Sequence, residues 1–360
     1  MPTTIAAVLL HHGGPEALVI DETWQVRDPD PGEVLIRVHA AGVNNTDLWT
    51  RQGAYGVPGD PDALYGALGR INFPRVQGGD ACGVVVTAGN AQDAEWVNRR
   101  VLVDPAAYGS AASNAMPVGY QGSEYDGGFA GYLVARTDHV HDVTDSPLSD
   151  EELAALPVAY GTAARMLRRA DVGSRSTVVV TGASGGVGIA LVQLAAALGA
   201  TVIGVTTTAK REAVTSAGAH HTACRDEGEV ADRIREIAPD GVDVVADVVG
   251  GPGMAALLPL LVDDGCWVIA GAIAGPVVEF DLRRLYLHSV RMVGSSMHTP
   301  ADFAALVQMA RQGLVRPPIA GRYRLRDIGQ AQEDFAASNH VGKIVLVADD
   351  ATVVDEAPAQ

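Results

Sequence analysis

One stretch constrains this chain more than any other: Thr177 to Ala200, TVVVTGASGGVGIALVQLAAALGA. Val178, Val179 and Val180 form a β-branched run of the kind that makes a strand buried on both faces. The turn Gly182-Ala183-Ser184-Gly185-Gly186-Val187-Gly188 follows at once. Ile189 to Leu198 reads as a helix, with Leu191, Leu194, Ala195 and Leu198 on one face. Gly199 closes it, and Thr201-Val202-Ile203-Gly204-Val205 opens the next strand. Strand, glycine turn, helix and strand within about 30 residues is the unit that binds dinucleotides. Glycines let the backbone approach a pyrophosphate, and amides at the helix N-terminus face its charge. A strict fingerprint would carry glycine at Ala183, but both flanks are correct, and the turn reads as nucleotide-binding.

The end of the second strand sets the choice of nucleotide. NAD-specific folds carry an acid about 20 residues past the turn, where it holds the ribose hydroxyls. Here the segment is Val205-Thr206-Thr207-Thr208-Ala209-Lys210-Arg211, with no acid before Glu212. Lys210 is one of two lysines in the chain, Lys343 being the other. Hydroxyls followed by two cations suit a 2′-phosphate, so NADPH is expected rather than NADH.

At 360 residues the chain can build two domains with separate cores. Its net charge of −17 argues against nucleic acid and anionic membrane partners. Cys82, Cys224 and Cys266 are far apart, odd in number and in no C-x-x-C spacing, which suits reduced thiols in the cytoplasm. Met1-Pro2-Thr3-Thr4 opens directly into a strand-like run, with no sign of a signal peptide, and no apolar stretch reaches membrane-spanning length.

Residues 1–150 are rich in short strands and Gly/Pro turns, the pattern of a partly open barrel. Glu33 to Ala41 alternates as a strand after the turn Pro29-Asp30-Pro31-Gly32. Residues 53–77 and 105–127 read as long irregular loops, and loops of that size are often functional. Ser149 and Glu152 form a capping box for a short helix. After the central unit, Val242 to Val249 and Cys266 to Ala270 are strands ending in glycine, and Val290 to Ser295 is a last one. Strands alternating with helices mean a doubly wound parallel sheet, whose ligand edge holds Gly182, Thr206, Gly250 and Gly271. Residues 301–313 read as an amphipathic helix, and the strand Gly342 to Val347 is expected to return to the first domain.

These motifs, taken in order, resemble the medium-chain dehydrogenase/reductases, and within them the zinc-independent quinone oxidoreductase-like branch. The resemblance runs through Pro31 to Val38, Ala41-Gly42-Val43-Asn44, Asp47, Gly127-Gly128-Phe129-Ala130, Leu156-Pro157, Gly161-Thr162-Ala163, the Gly182–Gly188 turn and Gly342-Lys343-Ile344. It implies a GroES-like β-barrel domain (residues 1–155), a Rossmann domain with a doubly wound parallel sheet that binds NADP (156–298), and a return to the first domain (299–360). It also implies a homodimer through the sheet edge at Val290–Ser295. Zinc members carry a cysteine where this chain has Asn44 and His-Glu where it has Gly79-Asp80, and the structural-zinc cysteines are missing from the 100–120 region. No metal site is therefore expected.

The resemblance implies hydride transfer to a quinone or an α,β-unsaturated carbonyl. It places the cofactor against Asn44, Thr162, Ser184, Gly185, Gly186, Val187, Thr206, Thr207, Lys210 and Lys343, with Val249, Ala272 and Ile273 in the loops lining the ribose and nicotinamide. Gln52-Gly53-Ala54-Tyr55-Gly56 is similar to the segment that places a proton-donating tyrosine in the enoyl-thioester reductases of this family, which makes Tyr55 the donor candidate. Trp49 stands where many quinone reductases have a substrate-facing tyrosine, and reads as an aromatic wall. Asp47 reads as a structural or relay residue and His298 as a surface histidine. Tyr55, Leu64, Tyr65, Leu68 and Phe73 could form a lid over a larger substrate. An enoyl-thioester reductase and a non-catalytic NADPH-binding protein are the alternatives.

Overall fold

The computed structural model describes residues 2–56 and 66–348. The chain forms two compact units: residues up to Val158 with those from Thr299 onward, and Ala159–His298.

The first unit is built from short strands. β1 (Thr3–Leu9) pairs antiparallel with β2 (Leu18–Gln25), and β3 (Glu33–Gly42) follows the Pro31-Gly32 turn. Helix α1 (Asn45–Gln52) comes next, then β4 (Arg75–Val76), β5 (Cys82–Ala88) and β6 (Arg100–Val103). Residues 105–127, expected to be irregular, contain the antiparallel hairpin of β7 (Ala106–Tyr108) and β8 (Pro117–Tyr120). Gly/Ala-rich strands this short carry little alternation, so the pattern hides them. β9 (Tyr132–Arg136) and β10 (Val140–Asp142) precede α2 (Asp150–Ala154), where Ser149 and Glu152 make the expected capping box. Leu64 and Tyr65 of the expected lid lie outside the described residues.

Helix α3 (Pro157–Arg169) leads into the second unit. There β11 (Thr177–Val180), α4 (Gly186–Ala197), β12 (Thr201–Thr206), α5 (Arg211–Ser216), β13 (His221–Cys224), α6 (Val230–Ile237), β14 (Val242–Asp247), α7 (Met254–Leu257), β15 (Leu261–Ile269), α8 (Leu282–Tyr286) and β16 (Arg291–Gly294) alternate. The six strands form one parallel sheet in the order β13-β12-β11-β14-β15-β16. The strand order reverses between β11 and β14, and such a switch point opens a crevice at the strands' C-terminal ends. Val179, Ile203, Val245 and Trp267 belong to the core of this unit. His298, read as a surface residue, is fully buried at its end, and a Cβ on Gly161 would collide with its ring.

The chain then returns to the first unit with α9 (Pro300–Arg311), β17 (Ile319–Arg324), α10 (Ile328–Ala337) and β18 (Lys343–Val347). β18 pairs antiparallel with β3 and parallel with β17, completing the seven-stranded sheet β10-β6-β5-β3-β18-β17 with β9 also on β3. Val34, Ile36, Val85, Val101, Phe129, Ile344 and Leu346 pack inside it. No helix of the described residues is long and apolar enough to cross a membrane.

Helix α2 is fastened to the barrel by charge. Asp150 accepts hydrogen bonds from Arg100 Nε on β6 and from His39 Nδ1 on β3, the latter at 2.8 Å. Burial by itself would raise the Asp150 carboxyl, but the His39 and Arg100 hydrogen bonds outweigh it and hold the carboxyl down at about 2. A depressed folded pKa contributes stability above the unfolded value and loses it as pH falls through the folded one. Asp150→Asn is therefore expected to lower stability at pH 7 by about 1–2 kcal/mol, with the difference from wild type shrinking as pH drops from about 4 towards 2. Thermal denaturation across that range measures it.

Candidate functional site

The residues expected to bind or react fall in both units. In the second, the β11–α4 turn has the form that its glycines require. Gly182 adopts φ +57°, a left-handed backbone that a side chain would strain. A Cβ on Gly188 would collide with the Gly182 carbonyl, so only glycine lets the helix start this close to the strand. Ser184, Gly185, Gly186 and Val187 are all partly exposed. Gly185 is the N-cap of α4, and no side chain caps its first amides. The amides at the start of a helix carry partial positive charge, and here they remain available to a phosphate.

Neighbouring strand ends supply the remaining groups on the same sheet edge. Thr206 is buried, and its hydroxyl makes no hydrogen bond among the described residues. Thr207 and Lys210 follow, both partly buried. Burial and then the nearby Arg225 guanidinium lower the Lys210 ammonium below its ordinary value. Two cations held together favour an anion between them. Arg225 was missed in the sequence because it arrives from β13, with its amide donating to the Thr206 carbonyl at 3.0 Å. Asp226 beside it accepts the Thr208 amide at 2.9 Å.

The loop after β14 is shaped by Asp247, which sequence reading also missed. Its buried Oδ1 accepts from Thr181 Oγ1 (2.6 Å) and from the amides of Val249 (2.8 Å) and Gly250 (3.1 Å), and its Oδ2 from Trp267 Nε1 (3.2 Å). The Ala274 amide donates to the Val249 carbonyl at 2.8 Å, so this loop and the one after β15 support each other. Val249 and Ala272 are partly buried and Ile273 is exposed. Thr162, on α3, is buried. Partly exposed glycines, uncapped helix amides, an orphaned buried hydroxyl and two neighbouring cations share one sheet edge, an arrangement that can receive a dinucleotide.

In the first unit a buried polar cluster gathers around the start of α1. Asp47 Oδ2 accepts the Asn44 amide at 2.8 Å and so caps the helix from its first turn. That leaves the Asn44 side chain free to turn elsewhere: its Nδ2 donates to Asp80 Oδ2 at 2.9 Å. Lys343 Nζ donates to the Val43 carbonyl (2.9 Å), to Asn44 Oδ1 and to Asp80 Oδ2 (3.2 Å). Asp80 Oδ1 accepts the Val158 amide at 2.8 Å. Lys343 is 2% exposed and Asp80 fully buried, so Lys343, expected at the cofactor, is spent on supporting Asn44 and Asp80. Gln77, another group that sequence reading missed, donates to the Asp47 carbonyl at 2.9 Å.

Trp49, within α1, and Tyr55, just past its C-terminus, are half-buried, their rings edge to face with centroids 5.4 Å apart. The Tyr55 phenol hydrogen-bonds Thr46 Oγ1 at 3.0 Å. Burial raises its pKa to about 12, so the resting phenol keeps its proton.

A zinc ion does not fit these residues. Zinc needs a close set of N, S or O ligands without a competing cation. Here the Lys343 ammonium lies between Asn44 and Asp80. A side chain at Gly79 would collide with the Tyr120 hydroxyl. Among the described residues no group of three or more His, Cys, Asp or Glu side chains could hold a metal ion.

The buried ion pair predicts a large asymmetry. Lys343→Met leaves the Asp80 charge uncompensated and should cost about 3–5 kcal/mol. Adding Asp80→Asn to that variant should recover part of the loss. Urea denaturation of both variants checks this.

Comparison with known proteins agrees with this architecture. A family model described as alcohol dehydrogenase GroES-like domain matches residues 30–145, and one described as zinc-binding dehydrogenase matches residues 186–312. The chain is 30% identical over 345 residues to acryloyl-coenzyme A reductase of Metallosphaera sedula, covering 90% of this chain and 96% of that protein. It is 29% identical over 347 residues to quinone oxidoreductase of Mus musculus, covering 93% and 95%. The crystal structure of a putative alcohol dehydrogenase from Sinorhizobium meliloti 1021 superposes with a TM-score of 0.92 at 42% identity, covering 97% of this chain and 98% of that one. With a GroES-like domain, a Rossmann-like domain and relatives that match nearly end to end, the chain belongs to the medium-chain dehydrogenase/reductase superfamily, in its quinone oxidoreductase-like branch.

Proposed function

We propose that this chain is an NADPH-dependent oxidoreductase that reduces a quinone or an α,β-unsaturated carbonyl compound without a metal ion. The observation that carries this reading is the open, uncapped glycine turn sharing a sheet edge with Lys210 and Arg225. When bound, NADPH supplies a hydride. The protein's part is to bind and orient: the α4 amides take the pyrophosphate, and Lys210 and Arg225 with the Thr206 and Thr207 hydroxyls take the phosphorylated ribose. The Asp247-braced loop carries Val249, and its neighbour Ala272 and Ile273, to the ribose and nicotinamide. Asn44, held by Asp80 and Lys343, positions the substrate side, where Trp49 forms an apolar wall. Tyr55 gives its phenolic proton to the α-carbon of the enolate formed when hydride adds to an α,β-unsaturated carbonyl compound. A phenol raised to about 12 is still a stronger acid than a carbon α to a carbonyl, so transfer runs downhill.

The kinship with acryloyl-coenzyme A reductase favours a second reading, an enoyl-thioester reductase. Cations for the phosphates of such a substrate are sparse near α1. Arg51 is 5% exposed and bound to Gln332, Arg75 pairs with Asp126 at 2.7 Å, and Arg70 is exposed. The smaller acceptor is therefore preferred. β16 lies at the edge of the parallel sheet, and we take it as the strand through which two copies pair. Three free, buried cysteines suit a reducing, cytoplasmic setting.

The reading predicts NADPH consumption with 1,4-naphthoquinone or an alkyl enone, and slower consumption with crotonyl-CoA. No turnover with any of the three would leave a binding protein instead. Lys210→Ala and Arg225→Ala should each weaken NADPH binding about 10- to 100-fold by loss of a charge-assisted contact, with NADH binding nearly unchanged. Fluorescence titration decides it, and equal wild-type affinity for the two nucleotides would refute the phosphate assignment.

A further inference from the structure

Tyr55 is carried back onto the helix it follows. α1 ends at Gly53, whose φ of +67° is a left-handed backbone that glycine takes without strain and that turns the chain back on itself. The Ala54 amide donates to the Trp49 carbonyl at 2.9 Å, and the Tyr55 ring lies edge to face against Trp49. The phenol thereby reaches the first turn of the same helix, nine residues earlier, where it donates to Thr46 Oγ1 at 3.0 Å. Nothing else claims the Thr46 hydroxyl. The Asn44–Asp47 capping box serves the first amides of α1, so Thr46 is not needed as a cap. Among the described residues its hydroxyl makes no other hydrogen bond. A hydroxyl carries one donor and two acceptor sites, so Thr46 accepts from the phenol with its own hydrogen unspent. Both residues are partly exposed.

We propose that Thr46 is the positioning residue of Tyr55: its hydroxyl holds the phenol between turnovers and reverses to donate to the phenolate when the proton leaves. The proposal rests on the reductase reading above, with Tyr55 as donor. In the transfer the Tyr55 O–H bond breaks as the C–H bond at the substrate α-carbon forms. The electron pair of the broken bond stays on the phenolate oxygen. The Thr46 hydroxyl turns about its C–O bond, points its own hydrogen at that oxygen and keeps it. The phenolate then takes a proton from water, and Thr46 turns back to accept again. No oxidant or reductant beyond the hydride donor is needed.

The surroundings of the phenol make such a partner valuable. Burial raises Tyr55 to about 12, and the charges of Asp47 on α1 and Glu124 in the turn after β8 add to the rise. Of the groups around the phenol, only Thr46 favours the phenolate. Arg51, on the same helix, is turned to Gln332. The amides of the first turn, where Thr46 sits, carry partial positive charge and act in the same direction as its hydroxyl. A hydrogen bond to a charged oxygen is about twice as strong as one between neutral groups. The reversed contact therefore tightens as charge develops on Tyr55, and an interaction stronger in the transition state than in the ground state raises kcat.

The test joins NMR to kinetics. In wild type labelled with carbon-13 at the tyrosine ζ carbon, the Tyr55 resonance is identified among the nine tyrosines by its loss in Tyr55→Phe. Thr46→Val keeps the shape of the side chain without its hydroxyl and should move that resonance, and Thr46→Ser should return it towards the wild-type position. With an alkyl enone, Thr46→Val should lower kcat about 10- to 100-fold, with KM little changed and a larger solvent isotope effect. The loss with 1,4-naphthoquinone should be smaller, because its reduced oxygen can take a proton from water. Thr46→Ser should recover most of the enone rate, and Thr46→Val placed on Tyr55→Phe should lower it no further. An unmoved resonance, an unchanged enone rate in Thr46→Val, or equal losses with both acceptors would refute the proposal. Thr46→Ala serves the same comparisons if the valine variant misfolds. Absence of wild-type turnover with both acceptors would strike the reductase reading instead, and the resonance would still decide whether Thr46 holds the phenol.

Discussion

The buried contact between Lys343 and Asp80 is the interaction on which the first unit depends. It joins residues 263 positions apart in the chain, the last strand and the loop before β5. An ammonium and a carboxylate taken out of water this completely survive only if their remaining valences are filled. Here they are, by the Val43 carbonyl, the Asn44 amide group and the Val158 amide. Gly42 belongs to the same arrangement, since a Cβ there would collide with the Asp80 carboxylate. The pair therefore fixes the start of α1, and with it Asn44, Trp49 and, through Thr46, Tyr55.

The second unit solves a different problem. A parallel sheet is covered on both faces, so its ligands are confined to the strand ends. β11 lies at the centre, and the strand order reverses beside it, between β11 and β14. Asp247 then does for the β14 loop what Asp80 does for α1. A single buried carboxylate gathers several donors and removes the freedom of a loop that must stay in place. In both units a buried acid organises the donors around it.

The packing at Gly79 shows how closely the buried polar groups beside α1 are fitted. Gly79 carries no side chain, and the Tyr120 phenol stands where a Cβ there would be. Close by, the ammonium of Lys343 donates to Asn44 Oδ1. An amide, a phenol, a carboxyl and an ammonium can hold and pass protons but cannot form a tetrahedral ligand set.

Much of this was legible in the residues themselves. The β-branched run at Val178–Val180, the glycines from Gly182 to Gly188 and the capping box at Ser149–Glu152 are local signals, set by backbone sterics and short-range hydrogen bonds, and the structure keeps them all. The β7–β8 hairpin escaped because its strands are short, and His298 was misplaced because nothing local marks a histidine as buried. Arg225, Asp247 and Tyr120 escaped for a common reason: each meets its partners across the sheet or barrel rather than along the chain. Sequence alone determined the class of fold and the glycine turn before α4, since both follow from periodicity and glycine. Tertiary structure decided which acids are buried, which cation is neutralised and which phenol fills the space at Gly79, because burial and charge pairing depend on groups brought together only by folding.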